Sequence, residues 1–408
     1  MRLARAYAFA VVALAASMLV VRAGAQSAPL PATVAGQPAT APFRVSFGPA
    51  GKVPLTSISV PYDQAEPVTG GAQLITSPEQ RAQILQLLQN ARMHSDLRLH
   101  PYDLKTSFTS YGSSSSDGRW ILEDISPGRN IYRWTAQGPS FNGVFLSVNK
   151  LLWSNQAGGA MPLRLAQVRI AMWAQYYPGI GPFAALRVAT GNLNGAEARC
   201  VLAARGVSGR AQRQFPDGRS FADSEYCIDP ETGLLASYSP YPGVYIRYDY
   251  SNAIHFHQLI IPNGFTILEN RQTVIEARTD SVTDPPTKTS NLFDTSGLNA
   301  LGVGQVIVPP RIVHGYQSSL RLGSGSAPQA VALHGMLAPD GQLTELEILA
   351  STNPALNDGA IRHARRAPSS RMPSQTQPGN TPRSRETVFI VEFVPSQTAA
   401  TLGAAPAN

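Results

Sequence analysis

Cys200 and Cys227 are the only thiols in the chain, so sulfur chemistry begins and ends with them. Each lies at or near a strand-like segment, and the stretch between them contains Arg, Gly and Ser. In an oxidising compartment an isolated even pair bridges. The closed loop of about 28 residues would contribute roughly 3–4 kcal/mol on the chain-entropy account. The alternatives are two buried free thiols or a redox pair, and there is no C-x-x-C spacing to support the latter. His255 and His257 stand two apart, so on one strand they would share a face and could take a metal. Their neighbours Phe256, Gln258 and Leu259 supply no carboxylate, and without a third ligand the pair reads as ordinary histidines. There is no G-x-S-x-G, no H-E-x-x-H and no G-x-x-x-x-G-K. The sequence therefore points to no catalytic residue, cofactor or metal, and to a protein that is not an enzyme.

Trp120, Trp134, Trp153 and Trp173, with Tyr132 and Phe145, form an aromatic-rich stretch. Such side chains fill a core or line an acyl-binding groove. The elements around them alternate with period two. Strands are expected at Lys105–Tyr111, Arg119–Ile125, Asn130–Ala136 and Gly143–Trp153, then near Ala185–Ala189, Ala196–Ala203, Leu234–Tyr238, Val244–Tyr250, Ala253–Ile261 and Thr273–Thr279. In Val244–Tyr250, the residues Val244, Ile246, Tyr248 and Tyr250 share one face, as a sheet with one buried face requires. Two helices interrupt the strands. Ser77 and Pro78 open the first, over about 78–93, with Gln80 completing a capping box and Ile84, Leu85, Leu88 and Ala91 on one side. The second follows Pro162, carries Leu165, Val168, Met172 and Tyr176 at spacings of three and four, and stops at Pro178-Gly179.

The chain has 408 residues, 43% of them apolar and 14% charged, with a formal net charge of +7. That is enough material for a sizeable core and two or three domains. The positive balance is mostly Arg, with no basic run and no basic stripe interleaved with aromatics; Arg362, Arg365, Arg366 and Arg371 are the nearest to a cluster. They read as a solvated surface, and no nucleic-acid partner is expected. At the N-terminus Arg2 and Arg5 precede an uncharged apolar run, Ala6 to Val21, and then Ala23-Gly24-Ala25. This is the pattern of a secretory signal peptide cleaved before Gln26, the rival being an uncleaved inner-membrane anchor. The run is short for a membrane span of about 20 residues. The expected location is the periplasm.

Residues 26–55 are rich in Ala, Pro, Gln and Thr without a period and read as a flexible linker. Asp284-Pro285-Pro286 breaks the last strand, and a polar linker runs to about Val303. Ala330–Leu337 and Gln342–Leu349 flank the turn sequence Pro339-Asp340-Gly341 and predict a hairpin. A short helix at Pro354–Ala364, a loop at Arg365–Arg383 and a closing strand at Thr387–Val394 follow.

The segments "HGMLAPDGQLTELEILASTNPALNDGAIRHA" and "ETVFIVEFV" resemble the C-terminal domain of TonB-family proteins. The usual aromatic-Pro pair before the first strand is absent, and the aromatic pair late in the helix is replaced around Arg365–Ala367. Residues 77–300 resemble the half-barrel of LolA-type lipoprotein carriers, notably at "YSNAIHFHQLIIPNGFTILENRQTVIEARTDSV" followed by "NLFD". Together these resemblances imply an α+β, mostly antiparallel β fold: a curved half-barrel-like sheet with helices, followed by a small β-β-α-β C-terminal domain. The expected division is 1–25 signal peptide, 26–55 linker, 56–302 LolA-like domain, 303–396 TonB-like domain and 397–408 disordered tail. The TonB resemblance implies transport across the outer membrane through protein–protein contact. Its partner would be an outer-membrane receptor that adds a strand to an exposed edge, taken to be Thr387–Val394. The LolA resemblance implies the alternative, a periplasmic carrier of lipid or lipoprotein whose concave face holds an acyl chain.

Overall fold

A computed structural model describes residues 43–46, 57–60 and most of 72–395. The stretches 173–179, 205–222, 305–309, 320–328 and 367–383, several shorter loops, and residues 1–42 and 396–408 lie outside the described residues. The leader, its cleavage site, Trp173, Tyr176, Pro178-Gly179, Arg371 and the C-terminal tail fall there. Strand β1 (Phe43–Ser46), inside the stretch read as a linker, pairs antiparallel with β2 (Ser57–Val60), just beyond that stretch.

The principal sheet begins with β3 (Gln73–Leu74). Helix α1 (Pro78–Met93) follows, with the Ser77 hydroxyl accepting from the Gln80 N–H at 3.3 Å and donating to Glu79. Then come β4 (Tyr102–Ser110), β5 (Gly118–Gly128), β6 (Ile131–Gly138), β7 (Phe141–Val148) and β8 (Leu151–Ser154). Helix α2 (Leu163–Met172) leads into β9 (Leu186–Leu193), β10 (Ala196–Ala204), β11 (Asp223–Ile228), β12 (Leu235–Ser239) and β13 (Val244–Asp249). The short hairpin β14 (Ile254–Phe256) and β15 (Leu259–Ile261) stands apart, and β16 (Gly264–Glu269), β17 (Gln272–Thr283) and β18 (Asn299–Val303) complete the sheet. Its fourteen described strands run β18-β8-β7-β6-β5-β4-β17-β16-β13-β12-β11-β10-β9-β3, and all described pairings within it are antiparallel.

Three sequence readings are corrected here. Gly143–Trp153 is two strands, turning at Asn149 and Lys150, both with positive φ (52° and 68°). Such a two-residue turn matches the strand twist but needs the left-handed region, and Lys is no turn marker. Ala253–Ile261 likewise folds back at His257 (φ 53°). Strand alternation therefore does not relate His255 to His257. His255 is exposed on β14, whereas His257 bonds Asp284 at 3.0 Å and stacks on His100 at 4.9 Å. The polar stretch before Val303 contains β18, which extends the sheet beyond β8.

The C-terminal sheet has the order β19-β22-β20-β21: β19 (Arg311–Ser319), β20 (Gln329–Leu337), β21 (Leu343–Ser351) and β22 (Arg385–Pro395). Helix α3 (Asn357–Arg366) lies on one face, where Leu356, Ala360 and Ala364 bury Val331, Leu333, Phe389, Val391 and Phe393. The expected edge strand is central. β22 pairs in parallel with β19 and antiparallel with β20, so Thr387–Val394 has no open side for a receptor strand. Strand β19, which takes that edge, sits in a stretch with Gly315 and Ser318-Ser319 that carries no clean alternation.

The other face of this small sheet joins the principal core. Ala330, Ala332, Leu349, Val388 and Ile390 belong to one cluster with Trp120, Trp134, Phe265 and Ile267 of the large sheet and Leu165, Val168 and Ala171 of α2. The C-terminal sheet thus covers the inner face of the large sheet, with α2 enclosed between them. Seven of the ten α2 residues are buried, arginines included. Gly243 marks the close approach: at φ +84°, a Cβ there would sit 2.1 Å from the Leu349 carbonyl oxygen.

Candidate functional site

Two features of the inner face stand out, an apolar cavity and a buried ionic seam. The cavity lies where the main core meets a satellite cluster of Leu97, Tyr102, Leu104, Phe256, Leu259 and Ile261. Leu97, Leu104, Ala171, Met172, Ile261 and Phe265 line it, together with Tyr248, Tyr250 and Thr279. Those hydroxyls are spent on carbonyls: Tyr248 donates to Ala171 at 2.8 Å, Tyr250 to Leu235 at 3.3 Å and Thr279 to Pro262 at 2.8 Å. Ser95, also in the wall, donates to the Ala91 carbonyl at 3.1 Å, and Thr106 adds a further hydroxyl to a wall that is otherwise mostly apolar. Its volume is about 40 Å³, and Ala171 and Met172 at the end of α2 form part of its wall.

The aromatic stretch divides as core. Trp120 and Trp134 are buried, Phe108 stacks on Trp120 at 5.4 Å, and Trp134 stacks on Phe145 at 3.9 Å. Trp153 and Tyr132 are half-buried. Arg169 of α2 lies 4.4 Å over the Trp134 ring and pairs with buried Asp124.

The ionic seam was not anticipated from sequence. Arg164 of α2 donates to Glu269 of β16 at 2.6 Å and to Glu347 of β21 at 2.8 Å. Gln167, one turn on, bridges the same groups, accepting from Arg164 at 2.9 Å and donating to Glu269. His334 of β20 is fully buried; its Nδ1 lies 2.9 Å from Glu386 of β22, which also accepts from Tyr241. His334 Nε2 lies 3.4 Å from Glu269 and 3.6 Å from Glu347. His334 and Glu347 are direct cross-strand partners because the register shifts between His334 and Met336, at a bulge where Glu345 takes φ 53°. Burial alone would depress the imidazole, but Glu269, Glu347 and Glu386 raise it well above its usual range. Burial would raise Glu269, yet His334, Arg164 and Gln167 hold it far below the carboxylate norm. Burial pushes up Glu345, only partly offset by the Leu163 N–H at the start of α2. The sequence hid this seam because its five charged members span 164 to 386 and no local spacing links them.

Cys200 and Cys227 are opposite partners on β10 and β11 and are joined by a disulfide. Both are buried with Ala198. Glu225 lies beside them, but bridged sulfurs offer no thiolate to a metal. No described helix is long and apolar enough to cross a membrane.

No family model matches the chain, and no curated protein does. Among solved structures, a LolA-superfamily protein from Nitrosomonas europaea aligns over 51% of this chain and 96% of its own, at 9% identity and a TM-score of 0.33. A putative outer membrane lipoprotein-sorting protein domain from Vibrio parahaemolyticus aligns over 52% and 95%, at 8% identity and 0.32. LprF from Mycobacterium bovis aligns over 52% and 97%, at 11% identity and 0.22.

Proposed function

We propose that this protein is an exported, non-catalytic cell-envelope module that holds the acyl chain of a lipid or lipoprotein beneath helix α2. The cavity bounded by Leu97, Leu104, Met172, Ile261 and Phe265 carries the reading, because apolar side chains make up most of its wall and the Tyr248, Tyr250 and Thr279 hydroxyls are bonded to backbone carbonyls. At about 40 Å³ it has room for little more than a water or two, so an acyl chain enters only as the wall moves. The movable part is the end of α2. Arg164 and Arg169 tie its first two turns to buried carboxylates. Met172, at its last position, sits between the two apolar clusters, and a flexible thioether repacks readily. The leader pattern and the buried disulfide support an oxidising, extracytoplasmic setting. The rival receptor-docking reading needs a free strand, and the strand it named is central.

Titration of the delipidated, disulfide-intact chain with a fluorescent fatty acid tests the proposal. Saturable binding is expected, weakened at least tenfold in Ala171→Val, whose two added methyl groups take up the free space. Circular dichroism of the variant must match that of the parent for the comparison to count. No saturable binding by the parent, or equal binding by the variant, refutes the reading. Mass spectrometry of protein from its native envelope should find a co-purified acyl lipid and a mature chain starting at Gln26.

A further inference from the structure

The ionic seam has an unbalanced charge and buried polar atoms without a hydrogen bond, His334 Nε2 among them. Counted ionised, Glu269, Glu347 and Glu386 carry three negative charges, and Arg164 returns one positive. A neutral His334 leaves the seam at minus two in a region shielded from water. One proton on the imidazole reduces this to minus one; one divalent cation removes it. His334 is fully buried, and its Nε2 makes no hydrogen bond. That nitrogen faces Glu269 Oε1 at 3.4 Å and Glu347 Oε2 at 3.6 Å, and the three ligand atoms all lie within 4.8 Å of one another.

We propose that Glu269, His334 and Glu347 form a buried site for one divalent transition-metal ion of the zinc class, at the seam between the two sheets. Two atoms each bound to zinc at about 2.0–2.1 Å in a tetrahedral site stand about 3.3–3.4 Å apart. The two nitrogen–oxygen separations are close to that edge length. One imidazole and two carboxylates make a borderline donor set that suits zinc or a neighbouring first-row ion. The surrounding groups are those that orient metal ligands. Glu386 holds Nδ1 at 2.9 Å, leaving Nε2 for the metal, and Gln167 and Arg164 fix the Glu269 carboxylate. Glu347 is 22% exposed at its side chain and provides the way in from solvent. The ligands come from β16, β20 and β21, so the ion would pin the C-terminal sheet across the inner face. This inference is independent of acyl binding at the cavity.

Tag-free, chelator-treated protein with its disulfide intact is titrated with Zn²⁺ alone, both as the folded chain and during refolding from denaturant. Bound metal is counted after gel filtration, and thermal stability is followed in parallel. One equivalent per chain and a raised Tm are expected. Glu347→Gln, at the most exposed ligand, should weaken binding by roughly tenfold or more while still folding. The double variant His255→Ala, His257→Ala should bind as the parent does. The proposal is overturned if refolded protein retains no zinc. It is also overturned if Glu347→Gln binds normally, or if the surface double variant abolishes binding. Nitrogen-15 resonances that keep His334 doubly protonated with zinc present would show the site holds a proton only, which equally sinks it.

Discussion

Replacing Glu392 by Gln should stabilise the protein at neutral pH and change the shape of its pH profile. Glu392 lies on central strand β22, on the face shared with Val388 and Ile390, and is only 7% exposed. Burial pushes its carboxyl from 4.5 up to about 8. Between those values the native state holds a proton that the unfolded chain has released. Stability therefore falls as pH rises through that window, and is fully retained below it. At 1.36 kcal/mol per unit, the loss accumulated between pH 4.5 and 7 is about 3 kcal/mol, and the whole window is worth about 5. Gln keeps the shape and a polar head but cannot ionise. Urea unfolding of parent and variant, disulfides intact, should give similar stabilities near pH 4. By pH 7 the variant should lead by up to about 3 kcal/mol, with the gap widening until about pH 8. Other carboxylates contribute to both curves and cancel in the difference. Two parallel profiles across pH 5 to 8 would refute the reasoning, because Glu392 would then be ionised in the native state at no cost.

Gly243→Ala forces a Cβ to 2.1 Å from the Leu349 carbonyl at a positive φ, and should cost roughly 2–4 kcal/mol by thermal unfolding. A variant as stable as the parent would mean the C-terminal sheet does not press on that turn. Cys200→Ala removes a crosslink spanning 27 positions and should cost about 3–4 kcal/mol in urea, with unchanged stability as the contrary result. Ile390→Pro deletes a backbone donor from a strand paired on both sides, so hydrogen exchange should show loss of protection throughout β19, β20 and β22; protection kept there would contradict the sheet order. A fragment starting near Val303 should aggregate or stay molten, because Ala330, Ala332, Leu349, Val388 and Ile390 lose their cover; a sharp, monomeric spectrum would show that the shared core is dispensable.

Local patterns alone were enough for much of the architecture. The Ser77-Pro78 start placed α1 at Pro78–Met93, the spacing after Pro162 placed α2, and period-two runs located most of the antiparallel strands. The turn at Asp340-Gly341 set the C-terminal hairpin, and a lone pair of cysteines at or near strand-like segments pointed to the bridge. These features act over a few residues, or through a single available partner, so spacing carries them. Only the tertiary structure decided the hairpin turns at Asn149-Lys150 and His257-Gln258, which lack Gly or Pro, and the strands β16, β18 and β19, whose alternation is weak. It also decided that β22 is central, and that the small sheet closes over the inner face of the large one. The cavity and the ionic seam follow from that closure. Arg164, Glu269, His334, Glu347 and Glu386 look like surface residues when read singly, because charge in a sequence says nothing of depth. Their burial is stabilised only when three distant segments bring opposite charges together, and that condition exists in the folded chain alone.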